Sequence, residues 1–256
     1  MSGPSEVQGV SGQIVCDDLY LSPHLDDAAL SCGGRIFDQS ASGRRVVILT
    51  FFTANPAGEL SDLARDLHQR WNLDAESVMT ARRREDEAAC AVLGASWRHD
   101  DRLDALYRGG QDPRYPTLEA LFGPLAEDDA PLLEILSESL GRVRAERVLA
   151  PLAVGNHVDH QLIRRAAERA FGERLEYYED YPYARSGRAL QRVLGRRRGW
   201  RPSVWPLGQA ALEHKIRSIS CFASQLGTAF RDEADMRRQV ARFARRRGGE
   251  RYWRRV

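Results

Sequence analysis

Seven consecutive residues, Val46-Val47-Ile48-Leu49-Thr50-Phe51-Phe52, carry no charge and a single hydroxyl. Such a run has no polar face, so it suits a strand covered on both sides, as in a parallel sheet. Further strand-like segments fall at 14–21, 147–151 and 175–178. Between and after them lie helical patterns at 80–93, closed by Gly94, and at 132–144, about 157–171, 210–226 and 232–246. This alternation predicts the α/β class: a Rossmann-like, doubly wound, mostly parallel sheet with right-handed crossovers, in a single domain. The expected layout is a flexible N-terminus over 1–13, one folded domain over 14–246 and a basic tail over 247–256. Residues 99–131, with their glycines, prolines and acids, are expected to form a long loop of the kind that often carries function. Residues 185–201 are dominated by arginine and glycine and show no pattern.

A chain of 256 residues buries enough surface to fold without disulfides or a structural metal, so any implied metal is read first as catalytic. Cys16, Cys32, Cys90 and Cys221 form no Cys-x-x-Cys pair, and Cys16 and Cys90 read as small buried hydrophobes. The net charge is +2, from 38 basic and 36 acidic residues, which gives no reason to expect nucleic acid as a partner. All the basic residues but Lys215 are arginines, a bias that a GC-rich genome explains without function. The arginine runs at 185–201 and 245–255 are broken by glycine and read as solvated surface. Trp200, Trp205 and Tyr183 suit either the core or a sugar-stacking mouth. The N-terminus lacks a signal-peptide pattern and no window reaches the roughly 20 apolar residues of a membrane span, so the expectation is a cytoplasmic protein with no membrane partner.

In a doubly wound sheet, ligands bind outside the carboxyl ends of the strands. Two dense polar segments follow strands here: His24-Leu25-Asp26-Asp27 and Gly155-Asn156-His157-Val158-Asp159-His160. A catalytic metal site draws three nitrogen or oxygen ligands from such residues and keeps a fourth position for water. His24 and Asp27, three apart, can aim at one point from a strand-to-helix turn. Asp26 must then point elsewhere while staying near, which makes it a general-base candidate. His157 and His160 share a helix face, so one can bind metal while the other faces the reacting carbonyl. Taken singly, an Asp pair after a strand is usually a helix cap and a His-x-x-His is usually incidental; their joint occurrence at two strand ends points to a site. His68, His99 and His214 lie outside these segments and read as structural or solvated.

The chain resembles the LmbE-like, or PIG-L-like, N-acetylglucosaminyl deacetylases over about residues 16–226. The resemblance rests on Pro23-His24-x-Asp26-Asp27 with Gly33-Gly34, on His157-x-Asp159-His160, and on Arg82, Glu85, Leu93 and Gly94. Tyr181-Pro182-Tyr183, Lys215 and Ser224-Gln225 support it. It implies Zn2+ bound by His24, Asp27 and His160, although other divalent ions suit such a set. It implies Asp26 as general base, His157 as oxyanion stabiliser or acid with Asp159 orienting its ring, and Arg82 as a grip on substrate hydroxyls. The implied reaction is removal of an N-acyl, chiefly acetyl, group from a small amino-sugar or glycoconjugate. Leu25 and Ala28 depart from the commoner Pro and Glu and look like the variant acting on glycosylated natural products, teicoplanin-type glycopeptides among them. Some members place a carbonyl-contacting tyrosine where this chain has Gly155.

Two other readings compete. A metallo-β-lactamase-like hydrolase needs a histidine where Gly155 stands and has no use for His24 to Asp27. A non-catalytic Rossmann-like binding protein would use Gly33-Gly34 as a phosphate loop, but no Gly-x-Gly-x-x-Gly follows the first strand and two acids would face the phosphates.

Overall fold

The computed structural model describes residues 5–6, 14–71, 78–195 and 198–256. The elements run β1 (Val15–Ser22), α1 (Asp27–Ala41), β2 (Val46–Thr50), α2 (Asp62–Trp71), α3 (Val78–Leu93), β3 (Ser96–His99), α4 (Leu118–Leu121), α5 (Ala130–Gly141) and β4 (Arg144–Pro151). They continue with α6 (Val158–Phe171), β5 (Leu175–Tyr178), α7 (Gly187–Leu194), β6 (Trp200–Trp205), α8 (Gln209–Ser220), α9 (Ala223–Ala229), α10 (Glu233–Arg247) and β7 (Glu250–Arg255). The strands form one sheet in the order β3-β2-β1-β4-β5-β7-β6. The first five are parallel, and β7 pairs antiparallel with both β5 and β6. This is the expected doubly wound, mostly parallel α/β sheet.

Both faces are covered, as the unbroken apolar run of β2 requires. Leu19, Leu21, Val47 and Leu49 pack on one side with Leu136, Leu140 and Ile163, while Tyr20 and Ile48 face the other with Cys32, Ile36 and Leu93. This is period-two alternation with both sides apolar. Gly33 and Gly34 lie inside α1 and are packing residues: an added Cβ would sit 3.1 Å from Lys215 Cγ and 2.5 Å from Leu207 Cδ2. They form no phosphate loop.

Several expectations change. The tail expected over 247–256 is instead the end of α10 and strand β7, which inserts between β5 and β6 with Tyr252 and Trp253 each 1% exposed. Its arginines masked that pair in the sequence; in the fold Arg251 pairs with Glu179 and Arg254 with Glu176. The unreadable 185–201 contains α7 and the start of β6. The polar stretch after β2 holds α2, and the single helix expected at 210–226 is two, α8 and α9. The excursion at 99–131 is largely irregular, with short 3-10 turns at Ala105–Tyr107 and Glu127–Asp129. Of the expected flexible N-terminus, 1–4 and 7–13 lie outside the described residues, and Glu6 bridges to Trp97. Cys16, Cys32 and Cys90 are buried thiols without disulfides. No helix among the described residues is long and apolar enough to cross a membrane.

The topology decides where chemistry can sit. From β1 the chain winds to β2 and β3 on one side, then returns to place β4 on the other side of β1. The crevice between the carboxyl ends of β1 and β4 is thus the switch point of the sheet.

Candidate active site

Both polar segments emerge at that crevice. His24 follows β1, and His157 caps α6 after the loop from β4. That loop is bent through positive φ at Ala153 (60°), Gly155 (97°) and Asn156 (70°), with the Asn156 amide donating to Phe122 O and Gly123 O. Backbone strain of this sort is tolerated where surrounding contacts enforce it.

Asp27 lies at the centre. Its Oδ2 is 3.2 Å from His24 Nδ1 and 3.2 Å from His160 Nε2, and it accepts the His24 backbone N–H at 2.9 Å. The opposite nitrogen of each ring is held by a buried carboxylate: His24 Nε2 by Asp159 at 3.1 Å, His160 Nδ1 by Asp180 at 2.8 Å. Asp180 is itself fixed by the Val154 N–H at 2.8 Å. Ligand atoms about 2.0–2.1 Å from a tetrahedral zinc stand about 3.3 Å apart, and carboxylates commonly orient the far side of ligating imidazoles. The two spacings about Asp27 Oδ2 and the backing acids are of the kind found around a bound divalent ion.

Among the described residues, two donor groups have all their ligand atoms close enough together for an ion. One nitrogen each from His24, His157 and His160 lies within 4.8 Å of the others, and so do donors of His24, Asp104 and Asp159. His157 Nδ1 accepts the Asp159 backbone N–H at 3.2 Å, which leaves its Nε2 side facing the cleft. Asp159 is already neutralised, accepting from Arg108 Nη1 at 2.7 Å and from the Ala105 N–H at 2.9 Å. Its carboxylate steadies His24, while its backbone N–H meets the His157 ring.

Charge explains the protonation pattern. Asp26, Asp27, Asp104 and Asp159 face two guanidiniums, Arg82 and Arg108, so further positive charge is favoured. Burial opposes a charged His24, but Asp104, Asp159 and Asp27 raise its pKa well above the usual value. Burial likewise opposes a charged His160, which Asp27 and Asp180 nevertheless push up to about 9. Burial and its two imidazole neighbours pull His157 down to about 3, so it is neutral. For Asp27, burial is overcome by His160 and His24, which hold it well below the carboxylate range. Burial and then Asp27 push Asp26 up, with Arg82 opposing.

Asp26 and Arg82 stand together, Arg82 Nη2 lying 4.0 Å from Asp26 Oδ1. With His24, Asp27, Asp104 and His157 they line a cleft of about 330 Å³, walled by Leu67, Leu106, Leu118, Leu121, Phe122 and Tyr183. The sequence reading missed Asp104, Arg108 and Asp180. Asp180 carried a signal, an acid just past the end of β5; Asp104 and Arg108 lie in the irregular excursion and carried none. Tyr183, left open between core and mouth, comes from the loop after β5. Its ring fills the space beside Gly155, where an added Cβ would be 2.6 Å from Tyr183 Cγ. Among the described residues its hydroxyl has no hydrogen-bond partner. Glu85 accepts from the Ser224 N–H and Oγ, so that pair ties α3 to α9 and is structural.

Comparison with known proteins finds a family and relatives for this chain. The family described as PIG-L, GlcNAc-PI de-N-acetylase, matches residues 19–171. The 2'-N-acetylparomamine deacetylase of Streptomyces fradiae is 33% identical over 247 residues, covering 92% of this chain and 80% of that protein. A deacetylase of the teicoplanin biosynthesis pathway superposes with a TM-score of 0.78 at 26% identity, over 94% of this chain and 98% of that one. The A40926 pseudoaglycone deacetylase superposes with a TM-score of 0.71 at 28% identity, over 94% and 97%.

Proposed function

This chain belongs to the PIG-L, GlcNAc-PI de-N-acetylase family, and from that premise we propose that it hydrolyses the N-acetyl amide of an amino-sugar-containing natural product or its precursor. The observation that carries the reading is the Asp27 carboxylate between two imidazoles, each backed by its own buried acid, with Asp26 beside it in an accessible cleft. The substrate class follows from the relatives, which are named for paromamine, teicoplanin and A40926 substrates. The test is a screen of N-acetylated amino sugars and glycosylated natural products for released acetate, with and without a chelator, alongside metal analysis of the protein as purified. Acetate release that a chelator leaves untouched would falsify the metal assignment.

In this reading His24, Asp27 and His160 hold the ion, and zinc is the metal best suited to two imidazoles and one carboxylate. The ion, when bound, polarises the acyl oxygen and makes water a nucleophile near neutral pH. Asp26 accepts the proton of the attacking water, its raised pKa making it the better base, and Arg82 keeps its carboxylate oriented toward the cleft. Neutral His157 presents its Nε2 side to the reacting carbonyl, and Tyr183 offers a second donor, supplying the hydroxyl that Gly155 cannot. The amide C–N bond then breaks as Asp26 returns its proton to the leaving nitrogen, and the new carboxylic acid gives up its own proton, so that carboxylate and ammonium form in a cleft whose acids favour the cation.

Two predictions arise here. Tyr183→Phe, which keeps the ring packed over Gly155, is expected to lower kcat by about 100-fold if the hydroxyl meets the developing oxyanion. An equal loss in KM alone, with kcat intact, would make it a ground-state contact instead. Arg108→Met leaves Asp159 and Asp129 without their shared guanidinium (2.7 and 3.1 Å). It is expected to destabilise the fold by about 3–5 kcal/mol in denaturant titrations. Metal affinity is expected to drop about 10- to 100-fold in chelator competition, because Asp159 no longer steadies His24.

A further inference from the structure

Beside the cleft lies a second cavity, of about 650 Å³, that the proposed chemistry does not use. It opens between α6 and α7 and is floored by the loop after β4, so it shares the sheet end on which the cleft opens. Phe122 lines both cavities. Its ring stands edge-on to His157 at 5.2 Å and to Tyr183 at 5.8 Å, and Gly155, packed under Tyr183, also faces the groove. The two spaces therefore share an aromatic wall built on Phe122 and Tyr183.

Their charges are opposite. The cleft presents Asp26, Asp27 and Asp104, whereas the groove presents Arg164, Arg165 and Arg192. The one acid in the groove, Glu168, is already engaged by Arg164 Nε at 3.0 Å, Arg255 Nη2 at 2.9 Å and the Tyr177 hydroxyl at 3.2 Å. Arg164 is further tied to Leu152 O at 2.8 Å. Arg165 and Arg192 are exposed and make no hydrogen bond or ion pair among the described residues. Two uncommitted guanidiniums, one on α6 and one on α7, line a recess that shares the Phe122 wall with the cleft and form a receptor for a carboxylate, which a guanidinium can bind by two parallel hydrogen bonds.

We propose that this groove is a distal subsite of the enzyme that selects amino-sugar conjugates whose aglycone carries a carboxylate. The proposal rests on the deacetylase reading above. A substrate would place its N-acetyl group among the acids of the cleft, cross the Phe122–Tyr183 wall, and set its acidic end against Arg165 and Arg192. A conjugate with a cationic distal part would meet repulsion at the same place, which separates acid-bearing from amine-rich substrates.

The test compares N-acetylglucosaminides in matched pairs, phenyl with 4-carboxyphenyl and biphenyl with 4'-carboxybiphenyl, measuring both turnover and equilibrium binding. The carboxylated partner of at least one pair is expected to have a KM and Kd lower by about 5- to 30-fold at low salt, shrinking as ionic strength rises. In the double variant Arg165→Glu/Arg192→Glu the ratio within that pair is expected to invert. Arg142→Glu, a charge reversal where α5 leads into the amino end of β4, away from the carboxyl strand ends, is expected to keep it. A ratio near one in the wild-type protein, or one unmoved by the double reversal, overturns the subsite. Binding that discriminates the pairs without any acetate release sinks the deacetylase reading and leaves the anion groove standing.

Discussion

An Asp26→Asn enzyme is expected to keep its fold and its metal and to lose about 100- to 10,000-fold in kcat, the range typical of lost general-base help. The substitution is nearly isosteric, and Asp26 contributes nothing to the contacts by which Asp27, His24 and His160 meet. Its side chain stays at the cleft wall, but an amide cannot take the proton from water. The loss should therefore appear in kcat, with KM changed only a few-fold and metal content unaltered. Stopped assays on the best substrate of the acetate screen, together with metal analysis of the same sample, check both halves. Activity retained with metal bound would transfer the base to another group, Asp104 being the remaining acid that lines the cleft besides Asp27.

Asp27→Asn is expected to act one step earlier, on the ion itself. Asp27 Oδ2 is the single atom 3.2 Å from both His24 Nδ1 and His160 Nε2. An asparagine can still accept the His24 backbone N–H, so the start of α1 survives, but the anionic ligand is gone. Removing an outer partner of a metal site typically costs 10- to 100-fold in affinity; loss of a ligand should cost at least about 100-fold, with activity falling to the uncatalysed rate at ordinary metal concentrations. Chelator competition reads the affinity, and circular dichroism confirms the fold. Should the variant bind metal as tightly as the parent, the ion would belong to one of the alternative donor groups, His24–His157–His160 or His24–Asp104–Asp159. His157→Ala and Asp104→Ala would then tell those apart.

The two variants also separate the roles that the resemblance assigned. Adjacent residues diverge because β1 ends at Ser22 and α1 begins at Asp27, so Asp26 and Asp27 leave the helix in different directions. One faces the imidazoles and the other faces Arg82 on α3. A neutral His157 is the third part of the arrangement. With Nδ1 occupied by the Asp159 N–H, it suits hydrogen-bond donation to the carbonyl better than delivery of a proton to the leaving amine.

By itself the sequence determined what local chemistry and period encode. The apolar run at β2 demanded a sheet covered on both faces, and the strand–polar–helix order placed the His24 and His157–His160 segments after strand ends. The short spacing of His24 with Asp27, and of His157 with His160, is likewise a property of one turn of chain. Tertiary structure decided everything that depends on long-range pairing. Only the adjacency of β1 and β4 sets His24 against Asp159, 135 positions away. Only the fold of the excursion brings Asp104 and Arg108 to the site, because irregular backbone has no period by which to be read. The same reason applies to β7: its arginines look like a solvated tail until Glu176 and Glu179, from the neighbouring strand and the residue just past it, neutralise them and let Tyr252 and Trp253 be buried. Which groups neighbour a charge decides whether it is surface, clamp or ligand, and that neighbourhood is not written locally.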